Sequence, residues 1–252
     1  MNSFKNKNII VTGASKGLGK TISIEFEKLG SNIALIARSR NLLDDLKKKF
    51  KEKDKHLFYD IDLMNDNERN KCLNDIEKKF QNIDIIFHCL GGSFGINNPL
   101  DEMSKYMNSI KGNLGISIDI NNKFIPNMKK NGFGNIIHTS SVVGRQATAS
   151  VPYVTAKSSI SGYVRTMGNY LANYNIILCG VLPGAFFAED NAMNRFKNFK
   201  PTEYNEFVEK LPNKRMPKSG EYIEILKLLS SQDSKIFCGS MIPLDTGQGI
   251  TF

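Results

Sequence analysis

The chain has 252 residues, 40% of them apolar and 23% charged, and a formal net charge of +9. That length and apolar share suffice for a sizeable core in one large α/β domain or two small ones. No apolar run approaches ~18 residues, which excludes a helical membrane span, and residues 1–5 lack the apolar core of a signal peptide and read as a mature start, so a cytoplasmic protein is the default expectation.

The first element is the apolar run Asn8-Ile9-Ile10-Val11, a short buried strand. It leads through Thr12-Gly13-Ala14-Ser15-Lys16-Gly17-Leu18-Gly19 into a helix over residues 20–29, where Ile22, Phe26 and Leu29 recur at helical spacing and Gly30 stops the run. Glycines at such a turn have a physical use. Gly13 permits a tight turn, and Gly17 and Gly19 let the backbone approach a bound group. The helix N-terminus directs N–H groups and a partial positive charge at a phosphate. The Gly-x-x-x-Gly-x-Gly spacing differs from the Gly-x-Gly-x-x-Gly of other dinucleotide folds; an ordinary tight loop is the alternative.

Strands and helices then alternate. Strands are expected at residues 33–37, 56–61, 83–90, 135–139, 176–182 and 236–244. Helices are expected at 42–50, 68–80, 104–128, 153–170 and 221–229. Continuous apolar strands between helices predict a parallel sheet covered on both faces. With no linker or repeat to divide it, residues 1–252 read as one doubly wound Rossmann-type α/β domain of about seven strands, whose ligand crevice lies at the carboxyl ends of the strands.

The second strand ends in Ala37-Arg38-Ser39-Arg40, where an NAD-preferring fold places an acid that accepts from the ribose hydroxyls. A guanidinium here suits a 2′-phosphate, and Lys16 adds a second cation; a plain surface arginine is the alternative. Asp60 or Asp62 closes the third strand within reach of an adenine, with Asp62-Leu63 the better candidate.

Tyr153-Val154-Thr155-Ala156-Lys157 places a phenol and an ammonium one helical turn apart on one face. A nearby cation favours the phenolate and lowers the tyrosine pKa. Such a phenol can protonate a carbonyl oxygen as hydride arrives, or deprotonate an alcohol in reverse. Thr139-Ser140-Ser141 ends the fifth strand, at the same sheet edge as the glycine turn, and offers a hydroxyl to the substrate oxygen. Asn113 lies in Lys111-Gly112-Asn113-Leu114-Gly115, mid-helix, where Gly and Asn are both poor helix formers. Poor propensity inside a regular element marks a candidate functional site.

With these motifs the chain resembles, over nearly its whole length, the classical single-domain short-chain dehydrogenase/reductases, and among them the 3-oxoacyl-reductase-like members. The resemblance implies a catalytic tetrad of Asn113, Ser141, Tyr153 and Lys157. Tyr153 is then the general acid/base, Lys157 binds the nicotinamide ribose and lowers the tyrosine pKa, Ser141 orients the substrate oxygen, and Asn113 holds a water of a proton relay. Implied cofactor contacts are Gly13, Ser15, Lys16, Gly17, Leu18, Gly19, Arg38, Asp62, Leu63, Gly91, Tyr153, Lys157, Pro183 and Gly184. Arg38 and Lys16 resemble the NADP-preferring subgroup, and Asp245-Thr246-Gly247 resembles the family's closing Asp-Gly-Gly. There are two departures. The family's Asn-Asn-Ala-Gly reads His88-Cys89-Leu90-Gly91, with His88 expected to be a hydrogen-bonded core residue. The threonine expected four residues after Gly184 is Ala188.

Residues 185–211 read as a substrate lid, with Phe186, Phe187, Met193, Phe196, Phe199 and also Phe94 as apolar walls, and Arg195, Lys197 and Lys200 placed for an anion; the aromatics alternatively only anchor the lid. Cys72, Cys89, Cys179 and Cys238 form no Cys-x-x-Cys pair and read as free thiols, and the three scattered histidines suggest no metal site. The lysines are spread over solvated helical segments, which argues against nucleic acid and fits an anionic small ligand. Ile116, Ile118, Ile120, Tyr163, Val164 and Met167 give two helices apolar residues on more than one face, and the resemblance implies pairing of such helices into homodimers or homotetramers. The expected function is therefore an NADP(H)-dependent oxidoreductase acting on a carbonyl/alcohol pair, with NAD(H) less favoured. The alternative is a cofactor-binding regulatory or scaffold protein of the same fold.

Overall fold

In the computed structural model, residues 4–250 are described; residues 1–3, part of the stretch read as a mature start, and 251–252 lie outside the described residues. Seven parallel strands form one sheet: β1 (Asn8–Thr12), β2 (Asn32–Ala37), β3 (Leu57–Asp60), β4 (Ile85–His88), β5 (Gly134–Thr139), β6 (Ile176–Pro183) and β7 (Met241–Leu244). Their order is β3-β2-β1-β4-β5-β6-β7. Ile9 of β1 pairs with Ile33 of β2 on one side and Ile85 of β4 on the other. The strand order reverses between β1 and β4, and doubly wound sheets form their ligand crevice outside the carboxyl ends at such a switch point.

The strands are apolar throughout because both faces are covered. Side chains alternate across a strand, so Ile9 and Val11 join one core and Ile10 the other. The first core receives Ile22 and Phe26 of α1 (Gly17–Lys28), Leu43 and Leu46 of α2 (Arg40–Lys49), and Ile223, Leu226 and Leu229 of α9 (Ile223–Leu229). The second receives Leu73 and Ile76 of α3 (Asp66–Phe80), Ile120 and Phe124 of α5 (Ile116–Asn131), and Ile160 and Val164 of α6 (Val151–Ala172). Phe26 lies edge-on to Phe87 with ring centroids 5.0 Å apart, which fills the first core beneath the crevice. Ile116, Ile120 and Val164 are spent in the second core; of the six residues expected to give the helices a further apolar face, only Ile118, Tyr163 and Met167 stay half-buried.

The helix expected over residues 104–128 is three pieces: α4 (Met103–Ile110), a π-helical turn (Lys111–Gly115) and α5. The strand expected over 236–244 begins only at Met241. Residues Gln232–Phe237 form a 3₁₀ turn, Ile236 is 84% exposed, and Gly239 in the left-handed region (φ 73°) turns the chain so that its N–H donates to the Leu178 carbonyl at 2.8 Å. The lid contains two short helices, α7 (Ala192–Phe199) and α8 (Pro201–Glu209).

Candidate active site

At the carboxyl end of β1, Thr12 Oγ1 accepts from the backbone N–H groups of both Cys89 and Leu90 at 3.1 Å, which ties the glycine turn to the end of β4. The glycines divide their work. Gly13 is left-handed (φ 65°), and a Cβ there would stand 3.0 Å from the Cys89 carbonyl oxygen. A Cβ on Gly19 would collide with the Gly13 carbonyl oxygen at 2.5 Å, so this glycine packs α1 against its own turn and is not needed to admit a ligand. Gly17 is left-handed (φ 56°) and faces only the Asn191 Cβ, at 3.7 Å. Lys16, the N-cap of α1, makes no side-chain cap bond, leaving first-turn amides for an anion; the Gly17 N–H makes a long 3.4 Å bond to the Glu189 carbonyl of the lid. Ser15 and Leu18 are buried, and Lys16 is exposed.

Arg38 follows β2, exposed, with Nη1 4.0 Å from Asp62 Oδ2. Asp60 stands 3.8 Å from Arg40 instead. Asp62, whose Oδ1 accepts from the Met64 N–H at 3.0 Å, is thus the carboxylate beside Arg38. Leu63 buries its side chain in the second core.

The tetrad residues converge. Ser140 is turned inward, its hydroxyl donating to the Lys157 carbonyl at 2.9 Å. Ser141 instead has its Oγ 3.4 Å from the Pro183 carbonyl and acts on the Tyr153 phenol in the direction that favours its ionised form. Lys157 is 4% exposed; its Nζ donates to the Thr139 carbonyl at 3.0 Å and lies 5.9 Å from the centroid of the Tyr153 ring. Burial pushes the Lys157 ammonium down to about 8, opposed by the neighbouring Cys89. The tyrosine pKa differs from the sequence expectation. It is raised above 10.0, because burial of the phenolate outweighs the opposing effect of Ser141. The Lys157 Nζ–H is aimed at Thr139 and not at the phenol.

Asn113 sits in the π-turn. Its Oδ1 accepts from the Gly92 N–H at 3.0 Å, and its Nδ2 donates to the Gly92 carbonyl and to the Ser109 carbonyl, both at 2.9 Å. Both side-chain N–H bonds are therefore engaged with the backbone, so the expected water would be held by a carbonyl oxygen of Asn113. A Cβ on Gly91 would lie 2.7 Å from Asn113 Oδ1 and 3.0 Å from Lys157 Nζ, so this glycine lets both side chains reach the β4 loop. Gly112 has its own use: a Cβ there would overlap the Phe94 ring.

Behind the tetrad, His88, Asn121, His138 and Tyr163 form a network. His88 Nε2 donates to Asn121 Oδ1 at 2.8 Å, while Asn121 Nδ2 donates to His138 Nε2 at 3.3 Å and to the Tyr163 hydroxyl at 3.0 Å. The acceptor role of its Nε2 fixes His138 as a neutral imidazole, whereas His88 Nε2 carries a proton. The rings lie 4.5 Å apart, and burial lowers His88 to about 4 and His138 well below 6.5.

The lid differs from its expected composition as a wall. Phe186 packs edge-on to Tyr222 in the first core (5.3 Å), Phe196 packs between Tyr204 and Phe207, and Phe199 is 82% exposed. Phe187 and Met193 are half-buried. Lys200 pairs with Glu203 at 2.8 Å, Arg195 donates to the Asp190 carbonyl at 2.8 Å, and Lys197 lies over the Phe187 ring at 5.6 Å. Ala188 is buried, with no hydroxyl to offer. Lys20 pins the lid base through Glu189 at 2.7 Å.

Sequence reasoning missed Gln248. Its Oε1 accepts from the Ala185 N–H at 2.7 Å and its Nε2 donates to the Ala185 carbonyl at 3.1 Å. The local signal was the preceding turn, where Asp245 accepts from the Gly247 and Gly249 N–H groups at 3.0 and 2.8 Å. Gly184, after Pro183, has no room for a Cβ beside the Gln248 amide.

The family model described as short chain dehydrogenase matches residues 7–198. Among curated relatives, the 3-oxoacyl-(acyl-carrier-protein) reductase of Buchnera aphidicola subsp. Schizaphis graminum is 28% identical over 251 residues, covering 98% of this chain and 99% of that protein. Levodione reductase of Leifsonia aquatica is 23% identical over 259 residues, covering 99% and 96%. Among solved structures, L-sorbose reductase from Gluconobacter frateurii, complexed with NADPH and L-sorbose, superimposes with a TM-score of 0.88 at 21% identity, covering 100% of both chains, which shows a shared fold.

Proposed function

This chain belongs to the short-chain dehydrogenase family, and we propose that it is an NADP(H)-dependent oxidoreductase that interconverts a carbonyl and a secondary alcohol, with Tyr153 as general acid/base. The observation that carries this reading is the buried Lys157 one helical turn from Tyr153, its ammonium 5.9 Å from the Tyr153 ring, with the Ser141 hydroxyl acting on the phenol in the direction that favours ionisation. The crevice residues fit a dinucleotide phosphate. The first turn of α1 has no side-chain cap, Gly17 leaves space in front of it, and Arg38 and Lys16 are exposed cations of the kind that suits a 2′-phosphate. Gly13, Ser15, Leu18 and Gly19 shape that turn, Asp62 and Leu63 border the adenine side, and Gly91, Pro183 and Gly184 border the nicotinamide side.

When bound, the nicotinamide supplies or accepts the hydride. The protein's own residues handle the oxygen and its proton. Ser141 donates to the substrate oxygen and holds it against Tyr153. Tyr153 gives its hydroxyl proton to that oxygen in reduction, or takes it in oxidation. The raised tyrosine pKa suits a group that waits protonated, as reduction requires. Lys157 supplies the cation that favours the phenolate once the proton has left, and Asn113 fixes residues 91–92 beside it.

Relatives named as reductases of 3-oxoacyl-(acyl-carrier-protein), levodione and L-sorbose support the carbonyl/alcohol class without selecting one substrate. The test is NADPH oxidation against a panel of ketones that includes anionic ones. Turnover of any member supports an enzyme, and tight NADPH binding with no turnover across the panel supports the scaffold alternative. A cytoplasmic homo-oligomer belongs to the same proposal. Met103 and Met107 of α4 and Val151 and Tyr170 of α6 are exposed large apolar side chains, and Ile118 of α5 and Tyr163 and Met167 of α6 are half-buried. Light scattering that shows only a 28.3 kDa species at micromolar concentration would contradict pairing.

A further inference from the structure

Two side-chain amides hold the loops on either side of the β5 end, and they do so in the same way. After β4, Asn113 binds both the N–H and the carbonyl of Gly92, in a space where a Cβ on Gly91 would lie 2.7 Å from its Oδ1. After β6, Gln248 binds both the N–H and the carbonyl of Ala185, at 2.7 and 3.1 Å. A Cβ on Gly184 would lie 2.7 Å from both Cδ and Oε1 of Gln248, and its three nearest atoms all belong to that amide. In each case a glycine admits the amide and the next residue receives it at two points.

A two-point pair fixes the orientation of a backbone segment, whereas a single hydrogen bond leaves it free to swing. Only the amide oxygen can accept from the Ala185 N–H, so the partner sets the Gln248 orientation. Gln248 is itself held: its backbone N–H donates to the Asp245 carbonyl at 3.1 Å, and its Nε2 also reaches Thr246 Oγ1 at 3.2 Å. On its other side the same loop carries the Pro183 carbonyl, 3.4 Å from the Ser141 hydroxyl. Ala185 is also where the lid departs, just before Phe186 anchors on Tyr222.

We propose that Gln248 is a positioning residue that clamps residues 183–185 in the geometry that receives the nicotinamide end of the cofactor. The inference rests on the cofactor reading above. A methyl group at Gly184 must displace the Gln248 amide, so Gly184→Ala and Gln248→Ala remove one and the same contact. The experiment compares the parent, both single variants and the double variant. It measures NADPH KM and kcat on a substrate that the panel has identified, melting temperature, and amide exchange at Ala185 without nucleotide.

Each single variant should raise the NADPH KM about tenfold, the size of one to two net hydrogen bonds, with kcat and melting temperature changed little. Exchange at Ala185 should accelerate in both. The double variant should be no worse than the poorer single one, because contacting residues that share one interaction are not additive. Additive losses in the double variant, or unchanged Ala185 exchange in Gln248→Ala, would overturn the clamp. A fall in melting temperature with unchanged KM would overturn its positioning role. A parent that fails to bind NADPH would overturn the cofactor reading, and with it the positioning role, while the nucleotide-free exchange rates would still decide whether the clamp exists.

Discussion

The ammonium of Lys157 donates to the backbone carbonyl of Thr139 at 3.0 Å, so the residue one helical turn beyond Tyr153 is anchored on β5. The same burial that aims it there holds its pKa at about 8 against an ordinary 10.5. Between those values the unfolded chain binds a proton that the folded chain does not. Stability from this group therefore rises with pH from about 8 toward 10.5. The difference in denaturation midpoint between the parent and Lys157→Met, followed from pH 8 to 9.5, should grow in the parent's favour. Subtracting the variant cancels the cysteines and tyrosines that titrate nearby. A constant difference would show that Lys157 titrates as an exposed lysine does.

Gly91→Ala tests the close approach around that ammonium. The new methyl would lie 2.7 Å from Asn113 Oδ1 and 3.0 Å from Lys157 Nζ. Overpacking of a filled site costs about 1–3 kcal/mol. Here relief requires the loss of one of the two side-chain positions, so activity should fall by more than the stability change alone suggests. An active, fully stable Gly91→Ala protein would mean that the loop moves freely.

The glycine turn and the Tyr-x-x-x-Lys pair were legible because each is local: strand, turn and helix follow one another, and one helical turn joins Tyr153 to Lys157. Asn113 was legible as an anomaly of propensity. Its π-turn was not, since that depends on Gly92 and Phe94 packing against it from another loop. Ile236 misled because a short apolar run fits a strand, and the turn at Gly239 is set by its bond to Leu178. The Gln248–Ala185 pair spans 63 residues and leaves no periodic trace. Lid aromatics such as Phe186 and Phe196 gave the right residue type for a pocket, but their partners Tyr222 and Tyr204 fill the fold instead.

Cofactor choice should follow Arg38. Its guanidinium is exposed and only loosely paired with Asp62, at 4.0 Å, so it is available to a 2′-phosphate. A charge-assisted contact of this kind is worth about 1.5–3 kcal/mol. NADPH should therefore bind at least tenfold more tightly than NADH, and Arg38→Asp should reverse the order. Equal dissociation constants in the parent would remove Arg38 from the recognition of the phosphate.

The buried histidine pair predicts acid lability. His88 has a folded pKa near 4 and an ordinary one of 6.5, and His138 is lowered in the same direction. As pH falls from about 6.5 toward 4, the unfolded chain takes up protons that the folded chain refuses, so stability falls across that window. His88→Gln keeps a donor for Asn121 and removes one titration. It should flatten the acid limb of a melting-temperature profile without changing the profile above pH 7. Identical acid limbs would place the lability elsewhere.

Tyr153→Phe is the variant that separates chemistry from binding. The ring beside the Lys157 ammonium is kept, and only the phenol oxygen is lost. If that oxygen moves the proton, the loss appears in the transition state. Then kcat and kcat/KM fall together while the NADPH dissociation constant stays put. General acid–base catalysis contributes roughly 10²–10⁴-fold, and the loss should lie in or above that range. Ser141→Ala should also lower kcat with NADPH binding unchanged. Lys157→Ala should weaken both, since on the proposed reading its ammonium would favour the phenolate and bind the nicotinamide ribose. A Tyr153→Phe protein that keeps most of its turnover would move the proton transfer to another group. Ser141 is the hydroxyl that acts on the Tyr153 phenol, so the double variant Tyr153→Phe/Ser141→Ala would then show whether it had taken the role.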